Sequence, residues 1–336
     1  MLPLIKVGLP ESNKLMPMLE QVLYSGMLAE GEPVYEFERQ FSQHFGLDRA
    51  IAMSSGTAAL HAALVLAGVT ADDEVITTSM TAEPTNVVIL QVGATPVFAD
   101  VDINSGNLDP ADIERKITNK TRAIVVVHYA GIPVRLAEIA EIAQRHRIPL
   151  IEDCAHALGA QYNDKGIGCI GDFAIFSFQA IKHMTTVDGG VLTFKDESLL
   201  RAAKKFRWFG LEKGIPRTEI DITSVGYKYN MHNVAATIGL AQLEGLIMLL
   251  VGIKLTVIIL TSIFLIFLDC TFLNLMLQRS LAIGSIRYCL MILPMLKSDF
   301  QRLEWPLTNY IAPITITVYS NHMQQYFHSL KNTTSA

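Results

Sequence analysis

Cysteine is scarce in this sequence: Cys154, Cys169, Cys270 and Cys289 are the only four in 336 residues. None has CxxC spacing or a Cys/His cluster around it, so neither a disulfide framework nor a structural zinc site is supported. A reducing cytoplasm is the expected compartment. Basic charge is not in excess either. The 27 Lys and Arg against 32 Asp and Glu leave a formal net charge of −5. That gives no electrostatic footprint for a phosphate backbone, and nucleic acid is not an expected partner. The opening MLPLIKVGLPES holds one lysine, two prolines and no long apolar run, and it does not read as a secretory signal. No fixed-period repeat or low-complexity tract appears. Length is not lacking: the chain suffices for one large α/β domain and a smaller one, with a sizeable core and no need of staples.

Charge is also nearly absent from one end. Nine of the 92 residues after Glu244 are charged, against about a fifth of residues 1–244. The expected organisation is therefore a domain over 1–244 and an atypical, apolar region over 245–336. Within the latter, Leu246–Leu268 carries a single charge, Lys254, and is long enough to cross a bilayer of about 30 Å. Three readings of it stand: a membrane anchor, a buried helix or strand pair, and a stretch displaced by a reading-frame error. The abruptness of the change favours the third, and a membrane is not expected as a partner. Sequencing the coding DNA across codon 245 decides the point, since an intact frame removes the third reading.

The first region alternates short β-rich runs with helical patterns, which predicts a mostly parallel sheet flanked by crossover helices. The expected strands are Ala50–Met53, Glu74–Thr78, Pro96–Ala99, Ala123–His128, Pro149–Glu152, Phe173–Phe178 and Val191–Phe194. The expected helices include Val34–Phe45, Thr57–Ala67, Pro84–Val92, Val134–Arg147 and Leu199–Phe206. In the first of these, Val34, Phe37, Phe41 and Phe45 recur at helical spacing and form a core-facing stripe.

Three segments could carry chemistry. MSSGTAAL, residues 53–60, follows a strand and opens a helix. There Gly56 permits close backbone approach, and the exposed amides of Thr57 and Ala58, at the positive end of the helix dipole, would suit a phosphate. Taken alone, a capped helix is the plainer reading. LIEDCAHALG, residues 150–159, ends an apolar strand in carboxylates. Asp153, at the carboxyl end of a parallel strand, would point into the crevice where open α/β sheets bind ligands, and a helix cap or a metal-free surface acid explains it as well. His156 lies three residues on and shares that face if the segment is helical; a lone His is more often structural. The third segment is FAIFSFQAIKHMTTVDGGVLTF, residues 173–194, where a strand delivers Ser177 and a turn delivers Lys182. A partly buried lysine has a depressed pKa and can attack a carbonyl, whereas an exposed loop lysine does nothing. Ser177 could donate to a phosphate. Gly166–Gly171 formally fits GxGxxG, but it precedes a strand rather than following one and opening a helix, so it reads as a turn.

In order and wording, SSGTAALHAAL, GATPVFADVD, EDCAHALGA, GDFAIFSFQAIKHMTTVDGGVLTF and GYKYNMHNVAATIGLAQLE resemble successive blocks of the DegT/DnrJ/EryC1/StrS family of sugar aminotransferases. GMLAEGEPVYEFERQF resembles its opening block, so the likeness runs from about Val7 to Glu244. The resemblance implies the large domain of a fold-type-I pyridoxal-phosphate (PLP) enzyme, with a seven-stranded type of sheet. It implies that Lys182 carries PLP covalently, that Asp153 pairs with the pyridine nitrogen, and that Ser177, Gly56 and Thr57 hold the phosphate. His156 would lie near the cofactor ring. Asn230, within GYKYN, would reach the phosphate of a neighbouring subunit's cofactor and make the site depend on a homodimer. Gln179 stands where many relatives have histidine. The implied reaction moves an amino group from L-glutamate to a nucleotide-linked keto sugar. Two alternatives remain: a PLP-dependent sugar dehydratase, whose relatives replace the lysine with histidine and for which His183 keeps the question open, and a non-catalytic homologue, because residues 245–336 resemble little of the family's small domain.

Overall fold

All seven expected strands form, with ends shifted by at most two residues. The computed structural model describes residues 7–246 together with Leu250 and Gly252. In chain order these contain helices α1 (Ser12–Leu23) and α2 (Glu32–Phe45), strand β1 (Ala50–Met53), α3 (Gly56–Leu66), β2 (Glu74–Thr77), α4 (Glu83–Gln91) and β3 (Thr95–Phe98). There follow α5 (Pro110–Lys116), β4 (Thr121–Val127), α6 (Leu136–His146), β5 (Leu150–Asp153), the short strands β6 (Gln161–Tyr162) and β7 (Lys165–Gly166), then β8 (Phe173–Ser177), β9 (Gly190–Phe194) and α7 (Leu200–Arg207). A further helix, α8, covers 233–246. The apolar run at 246–268 lies outside the described residues except for Leu246, Leu250 and Gly252. Among the described residues no helix is long and apolar enough to cross a membrane.

Seven strands form one sheet in the order β1-β9-β8-β5-β4-β2-β3. Only β9 runs against its neighbours; the remaining pairs in this sheet are parallel, as expected. Both faces are covered, which is why the strands read as continuous apolar runs rather than alternating ones. Strand residues nonetheless alternate between two cores. Ala52, Ile76, Ile124, Val126, Ala174 and Phe176 face α2, α5 and α6. Ile51, Val75, Ala123, Val125, Ile175 and Leu192 face α3, α4 and α7. The Val34, Phe37, Phe41 stripe is fully buried in the first core, where Phe37 and Phe41 meet Phe178 edge-on.

Three helices, α1, α5 and α8, were not among those expected, the first two for local reasons. α1 carries Pro17 in its interior, which reads as a break because it removes one backbone donor. α5 is only seven residues long; Asp109 caps it by accepting from the Ala111 amide, with Pro110 next.

Among the described residues β1 stands at an edge of the sheet, with no strand partner on one side of its backbone. Side chains close that side. Glu38 accepts from the Ala52 amide at 2.8 Å, and Arg207 donates to the Ala52 carbonyl at 3.0 Å and to Glu30 at 2.8 Å. Met53 then bridges to Asn230, and the Ser54 amide donates to the Tyr229 carbonyl at 2.6 Å. The turn that follows β1 is thus held from both sides.

Candidate functional site

β1, β5 and β8 run in the same direction, so Gly56, Asp153 and Ser177 all emerge at the carboxyl end of the sheet. This is the end at which open α/β sheets bind ligands.

At the first corner, Ser55 caps α3, its hydroxyl accepting from the Ala58 amide at 3.0 Å. The Ala58 amide, expected from the sequence to face a phosphate, is thereby taken, and the Gly56 and Thr57 amides are among those an α-helix leaves without an intrahelical acceptor. Gly56 is required by proximity: a Cβ there would lie 2.8 Å from the Cβ and 3.1 Å from the hydroxyl of Ser177. The helix N-terminus and the end of β8 therefore form one cradle. It suits a phosphate, offering backbone donors, the positive end of a helix dipole and a serine hydroxyl.

At the second corner Asp153 ends β5, 4% exposed. Its Oδ2 accepts from the Thr85 hydroxyl at 2.9 Å and its Oδ1 from the Ala155 amide at 3.1 Å. Thr85 belongs to the first turn of α4 and in turn meets the Thr81 hydroxyl at 2.9 Å. Sequence reasoning passed over both threonines; the signal was a Ser/Thr-rich strand exit, TTSMTAEPT, opening a helix.

Lys182 lies on a turn closed at its base, where the Phe178 amide donates to Gly189 and the Thr186 amide to Phe178. Buried Phe178 and Met184 fix the turn to the core, and Gln242 of α8 donates to the Thr185 carbonyl. Burial holds the Lys182 amine below the ordinary lysine range, and the charge of Asp153 opposes that shift. A lowered pKa raises the fraction of neutral, nucleophilic amine. His156 is pushed down by burial and by the Lys182 charge, with Asp153 opposing, and its ring meets Tyr129 edge-on at 6.3 Å. His183 is likewise lowered, by burial and then by Lys182. Asp153, His156, Lys182 and His183 thus act on one another electrostatically.

Asn230 lies behind β1 and is turned inward. It accepts from Lys228 at 2.6 Å and donates to the Met231 carbonyl at 3.3 Å, while the Lys228 ammonium lies over the Trp208 ring. Gln179 is exposed and accepts only locally, from the Ile181 amide at 3.4 Å.

The glycine-rich turn 166–171 does wrap an anion, but one of the chain's own. Glu152 accepts from the amides of Gly168 at 3.0 Å, Ile170 at 3.1 Å and Gly171, and from His128 Nε2 at 3.0 Å. The Val134 amide donates to His128 Nδ1, which leaves the ring proton on Nε2. Burial would raise the Glu152 carboxyl, yet these hydrogen bonds outweigh it and hold the group below its usual range. Successive residues of β5 point to opposite faces, so Glu152 serves the turn while Asp153 serves the crevice.

These residues fit PLP. The Gly56–Ser177 cradle takes a phosphate, a half-buried lysine with a lowered pKa takes an aldehyde, and a buried carboxylate with unfilled lone pairs takes a protonated ring nitrogen.

A model of the DegT/DnrJ/EryC1/StrS aminotransferase family matches residues 11–253. The chain is 39% identical over 233 residues to the spore coat polysaccharide biosynthesis protein SpsC of Bacillus subtilis, covering 67% of this chain and 60% of that protein. It thus spans about three fifths of that relative's length. Among solved structures it resembles the sugar aminotransferase CalS13 of Micromonospora echinospora, with a TM-score of 0.70 and 36% identity over 73% of this chain and 69% of the other. The putative sugar aminotransferase Spr1654 of Streptococcus pneumoniae, in its PLP form, gives a TM-score of 0.67 and 31% identity over 72% and 66%.

Proposed function

Because the chain belongs to the DegT/DnrJ/EryC1/StrS aminotransferase family, we propose that it is a PLP-dependent sugar aminotransferase of polysaccharide or amino-sugar biosynthesis. In this reading L-glutamate donates the amino group and a nucleotide-linked keto sugar receives it. The observation that carries the reading is the arrival of Lys182, Asp153, Ser177 and the Gly56 turn at one end of one sheet. SpsC, whose name places it in polysaccharide biosynthesis, supports the pathway class.

When bound, PLP supplies an aldehyde that carries the amino group and a ring that draws electrons from the reacting carbon. The Gly56 and Thr57 amides and the Ser177 hydroxyl would hold the phosphate. Lys182 Nζ would hold the cofactor through its aldehyde carbon and would move a proton at C4′. Asp153 would keep a proton on the ring nitrogen, and His156 would lie near the ring. Residues 1–244 make up the cofactor domain and 245–336 a separate C-terminal region, in a cytoplasmic protein. A homodimer in which Asn230 reaches the other copy's phosphate belongs to the same reading, and requires the Asn230 amide to turn out of its contacts with Lys228 and Met231.

The test uses the full chain with added PLP. The reading expects a visible absorbance band that L-glutamate abolishes and that a nucleotide-linked keto sugar restores, with no band in Lys182→Ala. A band insensitive to glutamate would leave a cofactor-binding protein without transfer activity. Covalent PLP in Lys182→Ala would overturn the assignment of the lysine.

A further inference from the structure

Asp153 is held by more than its place on β5. Both carboxylate oxygens are engaged by donors from different elements: Oδ1 by the Ala155 amide just beyond the strand, and Oδ2 by the Thr85 hydroxyl from the first turn of α4. Thr85 is itself buried, at 2% exposure. A threonine hydroxyl has one proton and a carboxylate only accepts, so Thr85 must donate to Asp153 and accept from Thr81. The direction of the chain Thr81 to Thr85 to Asp153 is therefore fixed. Two donors at an angle to each other stop rotation of the carboxylate about its Cβ–Cγ bond, a torsion that is otherwise broad. About half of its lone-pair capacity remains open, in a buried position where an acceptor needs a partner.

We propose that Thr85 is a positioning residue for the cofactor ring, with Thr81 behind it: the pair sets the plane in which Asp153 presents its open lone pairs to the pyridine nitrogen. This rests on the PLP reading above. The rest of the threonine's surroundings support a fixed geometry. Asn86, next in α4, accepts from the Thr77 hydroxyl at 2.9 Å and donates to the Thr78 carbonyl at 3.0 Å, tying the start of α4 to the end of β2. The donor to Asp153 thus comes from a braced helix turn.

The experiment compares Thr85→Val, which keeps the shape and loses the donor, with Thr85→Ser, which keeps the donor, and with Thr81→Val. Each full chain is titrated with PLP through its absorbance band, the bound cofactor's visible circular dichroism is recorded, and melting is measured without PLP. Thr85→Val is expected to bind PLP about tenfold more weakly, the size of one lost hydrogen bond to a charged group. Its circular dichroism band should change while its melting without PLP stays close to wild type. Thr85→Ser should restore both affinity and band, and Thr81→Val should fall between. If Thr85→Val matched wild type in affinity and band, or if Thr85→Ser failed to restore them, the assignment would be overturned while the PLP reading stood. A weaker affinity that merely follows lost folding, with an unchanged band, would also overturn it. A wild-type chain showing no PLP band would overturn the reading and the assignment together.

Discussion

At the scale of the residue, the loop that carries Lys182 holds a strained backbone. Val187 has φ of 74°, a left-handed conformation that a β-branched residue rarely adopts. The conformation costs about 1–2 kcal/mol, whereas glycine there would lose roughly 0.5–1 kcal/mol in unfolded-state entropy. Val187→Gly is therefore expected to stabilise the protein by about 0.5–1 kcal/mol, read as a raised denaturation midpoint; a lowered midpoint would show that the valine side chain contributes more than the strain. The depressed Lys182 pKa has its own consequence. Neutral amine appears at lower pH than for an exposed lysine, so an aldehyde reagent should modify Lys182 at a pH where other lysines still resist. Modification of Lys182 in step with the exposed lysines would contradict the burial argument. What the sequence disclosed at this scale was residue type and order: Asp153 and Ser177 stand at strand ends, Gly56 at a helix start and Lys182 on the turn after β8. Thr85 was not legible because its role depends on a contact 68 positions away.

At the scale of the element, Glu152 shows how one buried carboxylate shapes a turn. Its pKa lies below the usual range, so the stability it contributes is complete above the unfolded-state value, near 4.3, and is lost as pH falls through the folded value. Glu152→Gln is expected to lower stability at neutral pH by about 3 kcal/mol, since it removes one partner of a buried hydrogen-bonded set. It should also flatten the acid limb of the stability profile. An acid limb as steep as that of wild type would mean that other carboxylates govern it. The GxGxxG spacing was correctly set aside on context, but its anion was invisible in one dimension, because Glu152 and Asp153 differ only in which face of β5 they leave. Helix limits were legible where periodicity was clean, as in α2, and hidden where Pro17 interrupts α1. The closing of β1 by Glu38, Arg207 and Glu30 was equally hidden, since it joins residues far apart in sequence. A packing detail of the same kind is Gly239 in α8, where a Cβ would come within 2.6 Å of the Phe37 ring.

At the scale of the whole molecule, the described residues assemble the cofactor end of an α/β sheet, with two cores on its faces and three strands converging on one crevice. Every group assigned a role toward PLP lies within residues 56–230, in the part of the chain that holds most of the charge. Covalent attachment of PLP to Lys182 in this crevice is read out by trapping it. The full chain, incubated with PLP and reduced with borohydride, would be digested and its peptides weighed. A phosphopyridoxyl group is expected on the peptide bearing Lys182 and nowhere else; an unlabelled Lys182, or label on a different lysine, would rule out the attachment.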